Sequence, residues 1–399
     1  MKINLLVCIC ACILTTATAG RTSLAQTIEW DHHHGDSTTD TGAADLLQTT
    51  DGGYITVGSS SGRWETGTAG DTTGYIVRFD RNGHFQWDRK VGQGASLVSI
   101  LPWQQNGFVV AGTVVDSLYI AALDSTGRVT WQRRQPLQGV RVRASVATRD
   151  GGYAILGSIQ LIGSHTPKGF ILCKYDAIGT LEWSASRSPY SLVIPATLLQ
   201  GNDGTFIIGG TAMPDSSHTN SAVLLYIDSA GGFRRAQTIA IGDFSMVDKI
   251  LTAADGGYIL GGWSSDTTFH ESVFVVHIDD SGREQWRTES SASSAQFNVV
   301  FGSMTTMSNG DIIVAGSRAQ QDPYLLRLNS QGYITWDSTY PTDVGHYILS
   351  LVRTPDDDIV LAGSALYPLA PSDVLLFKIG FAISAMDGKE ACPLKLDLR

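Results

Sequence analysis

The sequence contains little cysteine. Five cysteines occur in 399 residues, and three of them, Cys8, Cys10 and Cys12, lie close together near the N-terminus. The other two, Cys173 and Cys392, are far apart, so they offer neither a disulfide framework nor the close spacing of a zinc site. The fold is therefore expected to depend on the burial of apolar side chains.

Charged residues are also few, at 17% of the chain, and acidic residues predominate, with a formal net charge of −10. No basic run with interleaved aromatic residues is present, so nucleic acid is not an expected partner. With 43% hydrophobic residues the chain can bury a large core, and a globular monomer is predicted.

Long apolar runs are missing after residue 25, so no transmembrane segment is expected in the mature chain. Before it, Lys2 is followed by the apolar run INLLVCICACILTTATA and then by small residues, with cleavage positions after Ala19 or after Ala25. This pattern predicts a signal peptide over residues 1–25 and a secreted protein, whether periplasmic, surface-bound or extracellular. A membrane anchor and a lipoprotein cysteine at Cys12 are the alternatives.

One turn sequence is repeated along the whole chain. DGGYITVG, which starts at Asp51, recurs in closer or looser copies that start at residues 105, 150, 203, 255, 309 and 356. A second motif, D-x-x-G-x-x-x-W, has the same period, and its fourth copy has Arg235 in place of tryptophan. The spacing of 45 to 54 residues is in the range of propeller blades rather than helical solenoids.

Each repeat divides into four short strands, which we call A to D. Asp-Gly-Gly forms the A–B turn and D-x-x-G forms the C–D turn, because both supply glycine and a side chain that can bind its own backbone. The seventh repeat lacks a D strand, whereas Trp30 is a D-strand tryptophan with no strands A to C before it. We predict an all-β, seven-bladed β-propeller over residues 26–380, with four antiparallel strands per blade and the last blade closed by the N-terminal strand.

The repeated tryptophans are predicted to pack between neighbouring blades and to be largely buried. They are Trp30, Trp87, Trp131, Trp183, Trp286 and Trp336.

The two motifs together resemble a family of secreted bacterial propeller repeats that is placed with the quinoprotein-like propellers. The resemblance covers nearly the whole mature chain, and it implies a secreted or surface protein. AALDSTGRVTW is similar to the tryptophan-docking motif of quinoprotein dehydrogenases, with one residue fewer between Asp124 and Gly127. The vicinal cysteine pair of those enzymes is missing, so no cofactor is expected. The tail at residues 381–399 is too short for the sorting domain that the resemblance implies.

Function is expected on the face that carries the D–A and B–C connections, because these are long and irregular while the turns on the other face are uniform. We predict that this face binds a protein or glycan partner without catalysis. A hydrolase or lyase and a structural envelope component are the alternatives. The candidate ligand-binding residues are Trp64, His218, Trp263, His270 and Tyr367.

A metal site is a weaker candidate. In WDHHHGD, the side chains of His32, His34 and Asp36 share one face of a strand, and imidazole with carboxylate suits zinc. Aligned with WDRKVGQ, however, these histidines occupy polar positions of an outermost strand, so we interpret them as solvated substitutions. The repeated turn aspartates lie too far apart in sequence to form one calcium site.

Overall fold

A computed structural model describes residues 25–35, 38–62, 72–115, 117–160, 167–213, 219–268, 271–291, 300–318, 322–368 and 370–382. Nearly all of the predicted signal peptide and of the tail after residue 380 lies outside these ranges. Within them, no helix has the length and apolar character needed to span a bilayer.

Most of the described residues lie in strands, and they include one short 3-10 turn at Gln104–Asn106. In chain order the strands are β1 Ala25–His34, β2 Thr39–Gln48, β3 Tyr54–Gly62, β4 Thr73–Phe79, β5 Phe85–Gln93, β6 Ala95–Trp103, β7 Gly107–Val114, β8 Ser117–Leu123, β9 Val129–Pro136, β10 Val140–Ala147, β11 Tyr153–Gln160, β12 Pro167–Tyr175, β13 Leu181–Arg187, β14 Leu192–Gln200, β15 Phe206–Met213, β16 Ser221–Ile227, β17 Phe233–Ile239, β18 Phe244–Thr252, β19 Tyr258–Ser265, β20 Glu271–Ile278, β21 Glu284–Ser291, β22 Val300–Thr306, β23 Ile312–Ser317, β24 Pro323–Leu328, β25 Ile334–Thr339, β26 Gly345–Arg353, β27 Ile359–Leu366 and β28 Asp373–Ala382.

In the described part of the chain these strands form six sheets. Five are four-stranded and antiparallel, and one has eight strands. The large sheet contains two antiparallel units, β10 to β13 and β14 to β17, which are joined by a single parallel pair between Lys168 and Val193. The predicted all-β fold with four-stranded antiparallel units is confirmed.

The N-terminal strand completes the last sheet. β1 pairs antiparallel with β28, and Trp30 lies opposite Lys378, as the unmatched tryptophan predicted. The Lys378 ammonium group also bridges two carboxylates, that of Glu29 on β1 at 2.6 Å and that of Asp358 in the A–B turn at 2.9 Å. The two ends of the described chain are thereby held in one sheet.

The first strand of each repeat contacts the first strand of the next, and β26 contacts β2, so these inner strands form a closed ring. The apolar core lies between successive sheets. Ile55 and Ile76 of the first repeat, for example, share a buried cluster with Val110 and Tyr119 of the second. The inner strands are β2, β6, β10, β14, β18, β22 and β26.

The motif tryptophans reach from one repeat to the next. A Cβ atom built on Gly179 would lie 2.7 Å from Cζ2 of Trp131, and one on Gly231 would lie 2.9 Å from Cε3 of Trp183. Five of the six rings cover the turn glycine of the following repeat in this way, whereas Trp336 stacks on Phe381 of the last repeat. The six rings are half-buried, less than predicted, because they lie on outermost strands where one side of the ring faces solvent.

In the fourth repeat a cation, Arg235, lies on the fourth strand, where the motif has tryptophan, and the aromatic ring, Tyr226, lies on the third strand. Arg235 on β17 stands opposite Tyr226 on β16, with its guanidinium carbon 3.9 Å from the ring centroid. Arg235 still reaches the next repeat, because it donates a hydrogen bond to the carbonyl oxygen of Ser281. The contact between repeats thus survives the loss of tryptophan.

Candidate functional site at the inner ring

Every inner strand carries a β-bulge near its middle. The register with the second strand shifts by one residue at each of these places, for example between Ala43 and Asp45. In each case the extra residue is more exposed than the residue before it. Since the inner strands form a closed ring, we assign these residues to the lining of the central opening. They are Ala44, Val98, Arg143, Ala196, Asp248, Gly302 and Leu349.

Asp248 is the one carboxyl group among these bulge residues. Its Oδ2 atom is buried and has no hydrogen-bond partner among the described residues. Burial raises the pKa of Asp248 to about 7, because the ionised form loses hydration that no neighbouring group replaces. A carboxyl group that titrates near neutrality at a central opening is a candidate functional group.

Arg143 is the one cationic side chain among them. Its Nε atom donates a hydrogen bond of 3.1 Å to Ser158 Oγ, and the side chain is exposed. Desolvation by the surrounding protein atoms lowers the pKa of this guanidinium group. The remaining bulge residues are small or apolar, so Arg143 and Asp248 supply the ionisable side chains among the seven.

A polar network ties four inner strands together beside the bulges. Asp45 accepts hydrogen bonds from Ser99 Oγ at 3.3 Å, from the Ile100 N–H at 3.0 Å and from Ser350 Oγ at 3.0 Å. Ser99 Oγ also lies 2.7 Å from Ser145 Oγ. These contacts join β26, β2, β6 and β10, and they stabilise the wall of the opening.

Asp248 should make stability depend on pH. The folded protein holds this proton more tightly than an unfolded chain does, so ionisation of Asp248 lowers stability as the pH rises from about 4 to about 7, after which the loss is constant. We expect Asp248→Asn to be more stable than the wild type at about pH 8, by on the order of 1 kcal/mol, with a smaller difference at about pH 4. Thermal melts across this range provide the measurement.

Asp228 provides a control of opposite sign. The Gly232 N–H hydrogen bond lowers the pKa of this turn carboxyl group, so Asp228→Asn should lose stability relative to the wild type at neutral pH and recover towards it in acid. If Asp248→Asn and Asp228→Asn respond to pH in the same direction, the proposed burial of an unpaired Asp248 is wrong.

The predicted ligand-binding residues are only partly described. Trp64, His218 and His270 lie outside the described residues, as does Asp36 of the predicted metal cluster. Trp263 is half-buried near the end of β19 and packs against the cluster that contains Phe301. Burial raises the pKa of Tyr367 to about 12, and its hydroxyl group contacts His33 and Asp373. The structure does not bring Trp263 and Tyr367 together, because they belong to different repeats.

The two other histidines of the predicted metal cluster pack against the first repeat. His34 stacks on Phe85 with ring centroids 3.9 Å apart, and His32, which stacks on Trp30 of its own strand, has its ring centroid 5.5 Å from that of His84. Both rings are half-buried, so they are not simply solvated.

The opposite face of β1 brings together a cluster that the sequence did not predict. His33 lies 3.0 Å from Asp31, and its ring meets that of His346 edge-on at a centroid distance of 5.2 Å. Burial lowers the pKa of His346. His33 was overlooked because alternation along β1 favoured His32 and His34, and nothing in the sequence connects it with His346 on β26.

A recurring ion pair is structural rather than functional. In five repeats a cationic or imidazole side chain on the third strand pairs with a carboxylate of the A–B turn and stands opposite the motif tryptophan. Repetition at the same place in the fold indicates a role in every repeat. The pairs are Arg78–Asp51, Lys174–Asp150, His277–Asp255, Arg327–Asp311 and Lys378–Asp358.

A cleft of about 490 Å³ lies beside one of these pairs. His277, Asp255 and Trp286 line it together with Ser308 and Ser330 of the next repeat. Its position beside the A–B and C–D turns puts it on the face opposite the long connections. Because its polar groups repeat elsewhere in the fold, we regard this cleft as secondary to the inner ring.

Family models and curated proteins provide no match to this chain. Among solved structures it is similar to virginiamycin B lyase from Staphylococcus aureus, at 10% identity and a TM-score of 0.56 over 90% of this chain and 100% of that one. It is also similar to the BP39L lectin from Burkholderia pseudomallei, at 9% identity and a TM-score of 0.55 over 85% and 98% of the two chains. Polysaccharide lyase Uly1 gives 9% identity and a TM-score of 0.57 over 88% and 99%. These likenesses show a fold of the β-propeller type.

Proposed function

We propose that this protein is a secreted β-propeller of seven four-stranded blades that binds a glycan without altering it. The closed ring of inner strands supports the blade number, and so does the single residue pair that joins the two halves of the eight-stranded sheet. The leader sequence supports secretion, and the two repeat motifs support membership of the secreted bacterial repeat family. The fold neighbours include a lectin, which is compatible with this proposal but does not carry it.

One observation carries the glycan proposal. The seven bulge residues include the exposed guanidinium group of Arg143 and the half-buried carboxyl group of Asp248, among five small or apolar residues. Sugar hydroxyl groups both donate and accept hydrogen bonds, so a pair of one donor and one acceptor side chain suits them. We place the ligand at the central opening, reached from the face that carries the D–A and B–C connections.

Binding is the preferred function because glycoside hydrolysis ordinarily uses two carboxyl groups, and the bulge residues supply one. A lyase or hydrolase is the second candidate, favoured by the Asp248 pKa of about 7, which suits a general acid or base. Incubation with neutral and acidic polysaccharides separates the two functions. New reducing ends or unsaturated products, lost in Asp248→Asn, would replace the binding proposal with the enzymatic one.

Glycan arrays followed by titration calorimetry test the site. We expect Arg143→Ala and Asp248→Asn each to weaken binding by about tenfold or more, the usual effect of losing a hydrogen bond to an ionisable group. Arg141→Ala is the matched control, because Arg141 lies on the same strand and contacts Gln160. If Trp263→Ala abolishes binding while Arg143→Ala does not, the ligand binds on the loops instead. If no glycan binds, the proposed function is wrong.

A further inference from the structure

We propose that Asp31, His33 and His346 form a binding site for a divalent transition metal of the zinc type. The site would fasten the N-terminal strand β1 to β26, the inner strand of the same sheet. It is independent of the proposed glycan site and uses none of its residues.

The donor atoms are suitably placed. One ligand atom from each of the three residues lies within 4.8 Å of the other two, and His33 Nε2 is 3.0 Å from Asp31 Oδ1. Tetrahedral zinc with bonds of about 2.0–2.1 Å requires ligand separations of about 3.3 Å, so modest movement of the exposed side chains completes the geometry. Asp31 and His33 are exposed, which gives the ion a path of entry and leaves a fourth position for water.

Hydrogen bonds behind the site orient His33. Tyr367 donates its hydroxyl hydrogen to Asp373 Oδ2 at 3.2 Å, so its oxygen accepts a hydrogen bond from His33 Nδ1, 2.7 Å away. The proton of a neutral His33 is thereby held on Nδ1, and the lone pair of Nε2 points to Asp31. A hydrogen bond from the far side of the ring that fixes the tautomer of a histidine is typical of metal sites, and here the Tyr367 oxygen accepts it.

Two features are unsatisfied without a cation. The Nε2 lone pair of neutral His33 faces a carboxylate oxygen, and His346 is fully buried with neither ring nitrogen partnered among the described residues. Buried polar atoms without partners are rare in folded proteins. A metal ion would bind the Nε2 lone pair of His33 and one of the two ring nitrogens of His346.

The test is zinc binding by the purified full chain, measured by competition with a chromophoric chelator, together with the visible spectrum of the cobalt form. We expect one ion per chain and the strong visible bands of tetrahedral cobalt. His33→Ala should abolish this binding. Tyr367→Phe should weaken it about tenfold, because it removes the hydrogen bond that orients the His33 ring.

Neighbouring histidines provide the controls. His32→Ala and His34→Ala change the same strand but its other face, so zinc affinity and the cobalt spectrum should match those of the wild type. Zinc should also raise the melting temperature of the wild type and of both controls, but not that of His33→Ala. Retention of the site in His33→Ala, its loss in His32→Ala or His34→Ala, or the absence of zinc binding by the wild type would overturn the proposal.

Discussion

A chain that lacks residues 25–36 should aggregate under conditions in which the intact protein is soluble. The deletion removes β1 and leaves the hydrogen-bonding groups of β28 exposed along the whole strand, and unprotected sheet edges recruit other chains. It also frees Lys378 from one of its two carboxylates and uncovers the turn glycine Gly83, which Trp30 covers. We expect a loss of more than about 5 kcal/mol, comparable with the whole stability of many domains.

Rescue by a peptide tests whether the effect of the deletion comes from the missing pairing of β1 with β28. A synthetic peptide of residues 25–36, added during refolding of the shortened chain, should restore solubility by pairing with β28, while a peptide of scrambled sequence should not. Size-exclusion chromatography and circular dichroism are the measurements. A shortened chain that stays monomeric and melts like the intact protein would show that β1 contributes little to the closure of the ring.

The sequence predicted closure because two incomplete repeats were visible at its ends. Trp30 has no strands A to C before it, and the seventh repeat has no tryptophan strand. The N-terminal strand was therefore expected to complete the seventh repeat, as β1 does by pairing with β28. The D-x-x-G turns were equally predictable, because an aspartate side chain can accept hydrogen bonds from nearby backbone N–H groups. Asp80 accepts them from the N–H groups of Asn82 and His84. Turns of this kind can be predicted from the sequence because the same residues recur at the same position in successive repeats.

The inner ring was not predictable in the same way. A bulge inserts one residue into a strand without changing its composition, so nothing marked Arg143 or Asp248 as lining an opening. The histidine cluster was missed for a different reason. Its members are brought together by closure of the ring, and residues so distant in sequence share no periodicity that a strand pattern reveals. In this fold the repeated residues build the scaffold, and the unrepeated ones carry the candidate sites.

Gly179→Ala should destabilise the protein much more than Gly151→Ala, although both glycines lie in turns of the same repeat with nearly equal φ angles, +81° and +83°. At Gly151 an added Cβ meets nothing within 4 Å, so the substitution costs only the left-handed backbone, about 1–2 kcal/mol. At Gly179 the same atom would lie 2.7 Å from the Trp131 ring. Overpacking there should add about 1–3 kcal/mol.

A double-mutant cycle tests whether the additional destabilisation by Gly179→Ala comes from the contact between repeats. Trp131→Ala alone should cost about 3 kcal/mol, the lower end of the usual range, because the ring is only half-buried. In the Trp131→Ala background the ring is gone, so the further cost of Gly179→Ala should fall towards that of Gly151→Ala, with only the 3.1 Å approach to the Tyr153 hydroxyl group remaining. Urea denaturation of the four proteins gives the coupling energy directly. Equal costs for Gly179→Ala with and without Trp131 would mean that the tryptophan does not dock on the next repeat, and the role assigned to all six motif rings would have to be withdrawn.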